Sequence, residues 1–392
     1  MLDDGLLKHK KRKLHPEIQS LVTSLEAVKA LPRIRSNNHT QVVEDFNGLA
    51  VVDPATKPTF RRLFTHETWQ LHLGGSTLER WVRCLTSTTK SPIVRAVAHT
   101  VLFLSVYAGV VSVVVPRFFS HTKMSSMDQS LPLSLCGNAI GLLLVFRTNH
   151  AYKRLEEARE LIEKVVHLSG EIVSTVVSVW QPPSTPQQQQ VEEEEEKKGS
   201  DDNNDDRGMS SGTTFTGSID TFAVASVCRH LAAYAWSLRD ELRDGETRDD
   251  VLRLLLPPLE AAWVASQRSR TLALHGRLRR LLYQEFAAGR LPEHLHFLLE
   301  GQLQELASVA SSCERIFTSP IPPTMSRHGV RSMTLWMLAL PVVLAFSTVP
   351  GWLNVLWTAA IAYVYVGIDE LGVQVEQHFR VIPLWQLCQL VQ

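Results

Sequence analysis

The chain has 392 residues, with 40 basic and 40 acidic side chains that cancel, and five cysteines. It is too long and too poor in cysteine for a secreted disulfide scaffold, and its cysteines form no C-x-x-C pair, so we expect free thiols in a reducing compartment. Apolar residues are concentrated in a few blocks, which favours membrane spans combined with soluble helices over ordinary globular domains.

Residues 1–64 are expected to form a basic, irregular N-terminal segment. The basic cluster Lys8–Lys13 is not followed by an apolar run of signal-peptide length, so it is not a secretory signal. Asp3 and Asp4 are also atypical of a transit peptide. We interpret the cluster as a solvated tail near a membrane surface, with a nuclear address as the alternative. No basic, aromatic-bearing fold accompanies it, so we expect no nucleic-acid partner.

Residues 65–180 are predicted to hold the first two transmembrane helices, at about 93–115 and 131–150. Ile93–Val115 is long enough, at 1.5 Å per residue, to cross a hydrocarbon core of about 30 Å. Leu131–Phe146 is shorter, about 24 Å by the same rise, and it passes without a loop into Arg147 and a charged helical pattern. This pattern predicts one helix that leaves the membrane and continues in water, which fits either a pore wall or a simple anchor.

Gly137 and Gly141 form a G-x-x-x-G step on that second helix. Small residues allow helices to approach closely in lipid. We therefore expect this face to pack against a neighbouring copy of the same helix or against the first span.

Residues 181–217 are predicted to be a disordered acidic loop. From Gln181 to Gly217 there are nine acidic residues against three basic ones, with runs of Gln and Glu and little apolar content. The Asp201–Asp206 cluster lacks the spaced ligands, central Gly and closing Glu of an EF-hand, so we expect no metal site.

Residues 218–326 are predicted to form a cytosolic helical bundle, because Leu, Ala and Trp recur at three- and four-residue spacing. Pro257-Pro258 predicts a break and Gly289 a helix stop. His294 and His296 point about 200° apart on a helix, which suits no common metal pair. No nucleophile elbow, P-loop or dinucleotide fingerprint is present, so we expect neither an enzyme nor a cofactor.

Residues 327–392 are predicted to hold the third and fourth transmembrane helices, at about 331–349 and 351–368, followed by a C-terminal tail. Pro350-Gly351 divides the two apolar segments and suits a helical hairpin. Basic residues follow the second span and precede the third, which places these loops and both termini on the cytoplasmic or stromal side.

Three stretches resemble the bestrophin family, most closely its plant and algal branch of thylakoid voltage-dependent chloride channels. They read "LPLSLCGNAIGLLLVFRTNHAYKRLEEAR", "SSCERIFTSPIPPTMSRHGVRSMTLWMLALP" and "IDELGVQVEQHFRVIPLWQLC". With a fainter likeness over His66–Val115, the resemblance covers most of Thr65–Leu390 apart from the acidic loop. It implies an all-α membrane protein with four transmembrane helices per subunit and a large cytosolic or stromal helical bundle, assembled as a homopentamer around one central pore.

The resemblance also implies a pore constriction, the neck, formed by Asn138, Leu142 and Phe146. These residues stand at i, i+4 and i+8, so helical geometry places them on one face. Asn138 departs from the apolar neck that is common in the family, and the dense acidic calcium clasp of the animal members is absent, so calcium gating of that type is not expected. Arg147, next to the neck, would attract anions through its field, or would instead pair with an acid or a lipid phosphate.

The function implied is passive, voltage-dependent conduction of chloride that contributes to ion balance across the thylakoid membrane. Two alternatives stay open at this point: a channel that conducts bicarbonate or nitrate, and a non-conducting membrane scaffold that recruits partners through its helical bundle. The expected partners are therefore an anion, the lipid bilayer and four further copies of the chain.

Overall fold

The computed structural model describes residues 15–31, 78, 82, 92–118, 126–180, 219–243, 247–319, 323–346, 349–382 and 384–391. The acidic loop predicted at 181–217 and the basic cluster Lys8–Lys13 lie outside the described residues. Every regular element in the described ranges is an α-helix. In chain order these helices are α1 (Pro16–Ala30), α2 (Pro92–Phe118), α3 (Ser126–Val179), α4 (Thr221–Leu242), α5 (Asp249–Leu255), α6 (Pro258–Ser266), α7 (Arg270–Ala287), α8 (Glu293–Thr318), α9 (Pro323–Phe346), α10 (Gly351–Glu376), α11 (His378–Val381) and α12 (Leu384–Val391).

The chain divides into two compact units whose segments alternate along the sequence. The first comprises Met1–Arg33, Leu161–Glu314 and Leu384–Gln392, and the second comprises Ile34–Glu160 and Arg315–Pro383. The divisions fall within α3 and α8, so each of these two helices contributes residues to both units.

The first unit is built around α4, which is buried along nearly its whole length and packs against α1, α5, α7 and α12. Trp236 of α4 meets Trp385 of α12 edge to face, with ring centroids 4.7 Å apart. Both predicted helix breaks are confirmed. α5 ends just before Pro257, α6 begins at Pro258, and Gly289 adopts a φ of 70° after the end of α7.

Helix α1 corrects the expectation of irregular structure for residues 15–31, the described part of the segment 1–64. Pro16 occupies the first turn, where its missing N–H costs nothing, and the His15 side chain accepts a hydrogen bond from the Glu17 backbone N–H. Val28 is its one buried residue, so the apolar stripe that signals a helix is weak. The helix is held mainly from outside, since Arg229 of α4 donates to the Ser20 hydroxyl at 3.1 Å.

A half-buried carboxylate links three helices of the first unit. Glu260 of α6 lies 3.1 Å from Nε2 of His230 on α4 and also accepts a hydrogen bond from Arg277 on α7. The hydrogen bond with His230, followed by that from Arg277, lowers the pKa of Glu260 to about 2 against the cost of burial. The carboxylate is therefore charged at neutral pH.

In the second unit α2 packs against both α9 and α10, and α9 packs against α10. Among the described residues, three helical segments are long and apolar enough to cross a membrane: Ile93–Phe118, Thr324–Phe346 and Gly351–Glu376. These correspond to the predicted first, third and fourth spans, although α9 begins and ends earlier than predicted. The predicted second span is part of α3, a continuous helix of 54 residues, as its unbroken pattern indicated.

A buried amide joins the three apolar helices. Asn354 of α10 is 1% exposed, and its side-chain nitrogen donates to the Ser112 hydroxyl of α2 at 2.9 Å and to the Pro341 carbonyl of α9 at 3.0 Å. Its amide oxygen accepts from the Thr358 hydroxyl at 3.3 Å. Each polar group of this side chain thus has a partner, which a buried amide in an apolar layer requires.

Candidate functional site

Within the second unit, one face of α3 packs tightly against α9 and α10. A Cβ on Gly137 would lie 2.8 Å from the Trp336 ring of α9, and one on Gly141 would lie 3.5 Å from the Tyr365 hydroxyl of α10. Trp336 Nε1–H donates to the Leu133 carbonyl at 2.8 Å, and the two aromatic rings lie 5.0 Å apart. The expectation that these glycines face a neighbouring copy or the first span is therefore wrong: they accommodate two aromatic rings of the third and fourth apolar helices.

The three predicted neck residues lie on a different, exposed face of α3. At about 100° per residue, the mean direction of these three side chains lies about 120° around the helix from that of Gly137 and Gly141. Asn138 is exposed, Leu142 is 57% exposed and Phe146 is 54% exposed. The structure thus brings Asn138, Leu142 and Phe146 onto one exposed surface, as helical geometry requires.

Arg147 is half-buried and paired with acids of α10. Its Nη1 donates to Asp369, and its Nε donates to Glu376 Oε1 at 3.0 Å. The arginine side chain is 12% exposed and the Asp369 side chain 15%. Of the alternatives for Arg147, pairing with an acid is the one observed, and its positive charge is compensated within the unit.

Sequence reasoning missed Asp369 and Glu376 as partners of Arg147. They stand seven residues apart, two helical turns, so both reach the same side of α10. A signal was present, since carboxylates at the end of an otherwise apolar helix generally have a specific partner.

Just beyond these carboxylates, burial lowers the pKa of His378, whose Nδ1 lies 2.6 Å from the Val375 carbonyl oxygen.

A cavity of about 640 Å³ adjoins α3 on the side of Phe146 and Arg147. α3 supplies most of its wall, α9 supplies Met325, Ser326, Gly329 and Met333, and Asp369 of α10 closes one side. Along α3 the lining changes from Ile140, Leu143, Leu144 and Phe146 to Arg147, His150, Lys153, Arg154 and Glu157. The cavity is therefore apolar at one end and mostly basic at the other.

The described residues include no group of three or more His, Cys, Asp or Glu placed to hold a metal ion. The four cysteines of the described ranges are free thiols. Burial raises the pKa of Cys313 and Cys388 to about 12, so both are protonated.

A family model described as "Bacterial/Fungal Bestrophin protein" matches residues 76–200 and 208–392 of the chain. The chain is 26% identical over 344 residues to "Voltage-dependent chloride channel 2, chloroplastic" of Arabidopsis thaliana, a match that covers 84% of this chain and 71% of the relative. It is 27% identical over 264 residues to a voltage-dependent anion channel-forming protein of Synechocystis, with 64% of this chain and 72% of the relative covered.

Solved structures share the fold. A crystal structure of a bacterial bestrophin homologue from Klebsiella pneumoniae superposes with a TM-score of 0.57 at 21% sequence identity. The match covers 74% of this chain and 95% of the bacterial one. The all-helical architecture described above is thus that of the bacterial homologue.

Proposed function

The chain belongs to the bestrophin family, and from this membership and the names of its relatives we infer that it is a membrane anion channel. Its apolar helices α2, α9 and α10 anchor it in the bilayer. We further propose that α3 crosses the membrane as the second of four spans and forms the wall of the pore.

The observation that carries this proposal is the division of α3 into two faces. Gly137 and Gly141 pack against Trp336 and Tyr365, whereas the face of Leu142 and Phe146 is exposed although it is apolar. An exposed apolar face on a helix that is anchored on its other side is suited to meet symmetry-related copies of itself. The same face also carries the exposed polar side chain of Asn138, which suits a water-filled path better than a surface that faces lipid.

We propose a homopentamer in which five copies of α3 surround one central path. Within it, Asn138, Leu142 and Phe146 form three successive rings, about 6 Å apart along the helix axis. Both termini would lie on the cytosolic or stromal side, and the chloroplastic names of relatives support a place in the thylakoid membrane. Voltage dependence is proposed because these relatives are named voltage-dependent channels.

The neck chemistry favours anions over cations. An ion stripped of water in a narrow apolar ring pays a high cost unless it keeps waters or gains partners. The positive edge of the Phe146 ring offers one partner, and the amide N–H groups of Asn138 offer another. Chemistry of this kind discriminates weakly between chloride, bicarbonate and nitrate.

Arg147 is proposed to position α3 rather than to face the permeating ion. Its contacts with Asp369 and Glu376 tie α3 to α10 directly below Phe146. Because Asp369 and Glu376 of α10 compensate the charge of Arg147, little net positive field remains there to attract anions.

The test is conduction by the purified protein in planar bilayers under a chloride gradient. We expect the reversal potential to lie near the chloride equilibrium potential, and ion substitution then ranks bicarbonate and nitrate against chloride. Native mass spectrometry of the same preparation should give five chains per particle. A cation-selective reversal, or electrical silence in a verified pentamer, would refute the channel and favour the scaffold alternative.

A further inference from the structure

The cavity beside α3 has a polarity gradient that matches the edge of a bilayer. Its apolar lining extends from Ile140 to Phe146, and its basic lining begins at Arg147, where α3 is proposed to leave the hydrocarbon. From Ile140 to Glu157 the two parts together span about 26 Å along the helix. An amphiphile with an anionic head would thus find its apolar and charged surroundings at the depths where a bilayer lipid holds its tail and headgroup.

The basic end holds positive charge that the described protein does not neutralise. Arg147 is compensated by Asp369, and Glu157 is compensated by Arg315 at 3.7 Å. Lys153 makes no hydrogen bond or ion pair with any described residue.

Within the described ranges, the one group to which Arg154 donates is neutral, the Ser319 carbonyl oxygen. Lys153 and Arg154 therefore remain as two adjacent cations at the mouth of an apolar cavity. A guanidinium next to an ammonium is well suited to a phosphate group.

We propose that this cavity binds an anionic phospholipid, with the phosphate between Lys153 and Arg154 and the upper part of one acyl chain on Leu143 and Met333. The volume of about 640 Å³ lies within the range of cavities that hold small ligands. This lipid site rests on one part of the proposed function, the crossing of the membrane by α3, and not on conduction.

The test compares phosphatidylglycerol with phosphatidylcholine carrying the same acyl chains, titrated into the purified full-length oligomer in detergent. Native mass spectrometry counts the bound lipids without any measurement of current, so the outcome is independent of whether the channel conducts. We expect preferential binding of phosphatidylglycerol. The variant K153Q/R154Q should lower its affinity roughly thirtyfold, about fivefold for each basic charge.

A matched control removes two positive charges that do not line the cavity. Arg327 and Arg331 are exposed on α9, on the same proposed side of the membrane, so R327Q/R331Q should leave the affinity unchanged. Equal losses in the two double variants would mean that the whole basic surface attracts the lipid, which overturns the site. Equal binding of the two lipids by the unmodified protein would overturn it as well.

A third variant tests the acyl-chain end without changing charge. A Cβ on Gly329 has room, at 3.7 Å from the Leu143 side chain, so Gly329→Leu should fold and extend its side chain into the cavity. We expect weaker phosphatidylglycerol binding with unchanged oligomer mass. Unchanged binding, or electron density of a neighbouring subunit filling the cavity in the assembled protein, would refute the proposal.

Discussion

The contact between Gly137 and Trp336 gives a substitution whose effect can be worked out from the structure. In Gly137→Ala the added Cβ would lie 2.8 Å from Trp336 Cζ2 and 3.1 Å from Cε2, whereas carbon atoms prefer about 3.5–4.0 Å. The ring cannot yield easily, because its Nε1–H donates to the Leu133 carbonyl and its centroid lies 5.0 Å from that of the Tyr365 ring. The backbone of α3 must therefore move.

Overpacking of this kind costs about 1–3 kcal/mol, and alanine recovers up to about 1 kcal/mol through its better helix propensity. We expect Gly137→Ala to destabilise the protein by up to about 2 kcal/mol, measured as a lower midpoint of thermal unfolding in detergent. Gly170→Ala is the matched control on the same helix. Nothing lies within 4 Å of its added Cβ, so the same substitution should stabilise by about 0.5–1 kcal/mol there.

Opposite signs for the two variants are the essential result. If Gly137→Ala raised the midpoint as Gly170→Ala does, the packing of α3 against α9 would be wrong. A second check is the double variant Gly137→Ala/Trp336→Phe, in which the smaller ring should recover part of the loss, since neighbouring substitutions do not add.

The other predictions concern the neck, the ion pairs below it and the helical unit. Phe146→Ala should change the conductance or anion selectivity in bilayers and leave the oligomer mass intact. Phe103 is an exposed aromatic residue on α2, and Phe103→Ala should leave both conductance and selectivity unchanged. Unchanged currents in Phe146→Ala would place the neck elsewhere. Arg147→Gln leaves two half-buried carboxylates without their cation and should cost about 3 kcal/mol of stability. The double variant Arg147→Gln/Asp369→Asn should recover part of this loss in thermal unfolding. No recovery would argue against the ion pair between Arg147 and Asp369. The pKa of Glu260 is lowered on folding, so the stabilisation that its charge provides is present above about pH 4.5 and is lost as the pH falls towards about 2. Glu260→Gln should remove this pH dependence from the free energy of unfolding. The stability lost in the unmodified protein over this range should be at most roughly 3 kcal/mol.

Local sequence patterns predicted the structural features that depend on neighbouring residues alone, such as helix continuity and helix ends. The unbroken run through Arg147 predicted a continuous α3, and Pro257-Pro258 and Gly289 predicted two interruptions, because prolines and a left-handed glycine act on the backbone within a turn. The resemblance carried by the three quoted stretches is confirmed by the family model.

Contacts between distant segments were not predictable in this way. Arg147 finds Asp369 and Glu376 more than 200 residues later, and the partners of Gly137 and Gly141 also come from α9 and α10. A single sequence reports that a small residue permits close approach, but not which helix approaches. Helix α1 was missed for a related reason, since it is held by residues of α4 and α5 rather than by a strong stripe of its own.

The buried Asn354 has a consequence for the order in which the membrane unit is completed. Its hydrogen-bond partners come from α2, near the beginning of the chain, and from α9, and Ser112 stands 242 residues before it. A nascent chain that has inserted α2 and α9 but not yet α10 leaves the Pro341 carbonyl without its amide partner in the hydrocarbon. The polar link between α2 and α9 is therefore completed only when α10 supplies Asn354, and a chain truncated before Gly351 should hold α2 and α9 together less firmly.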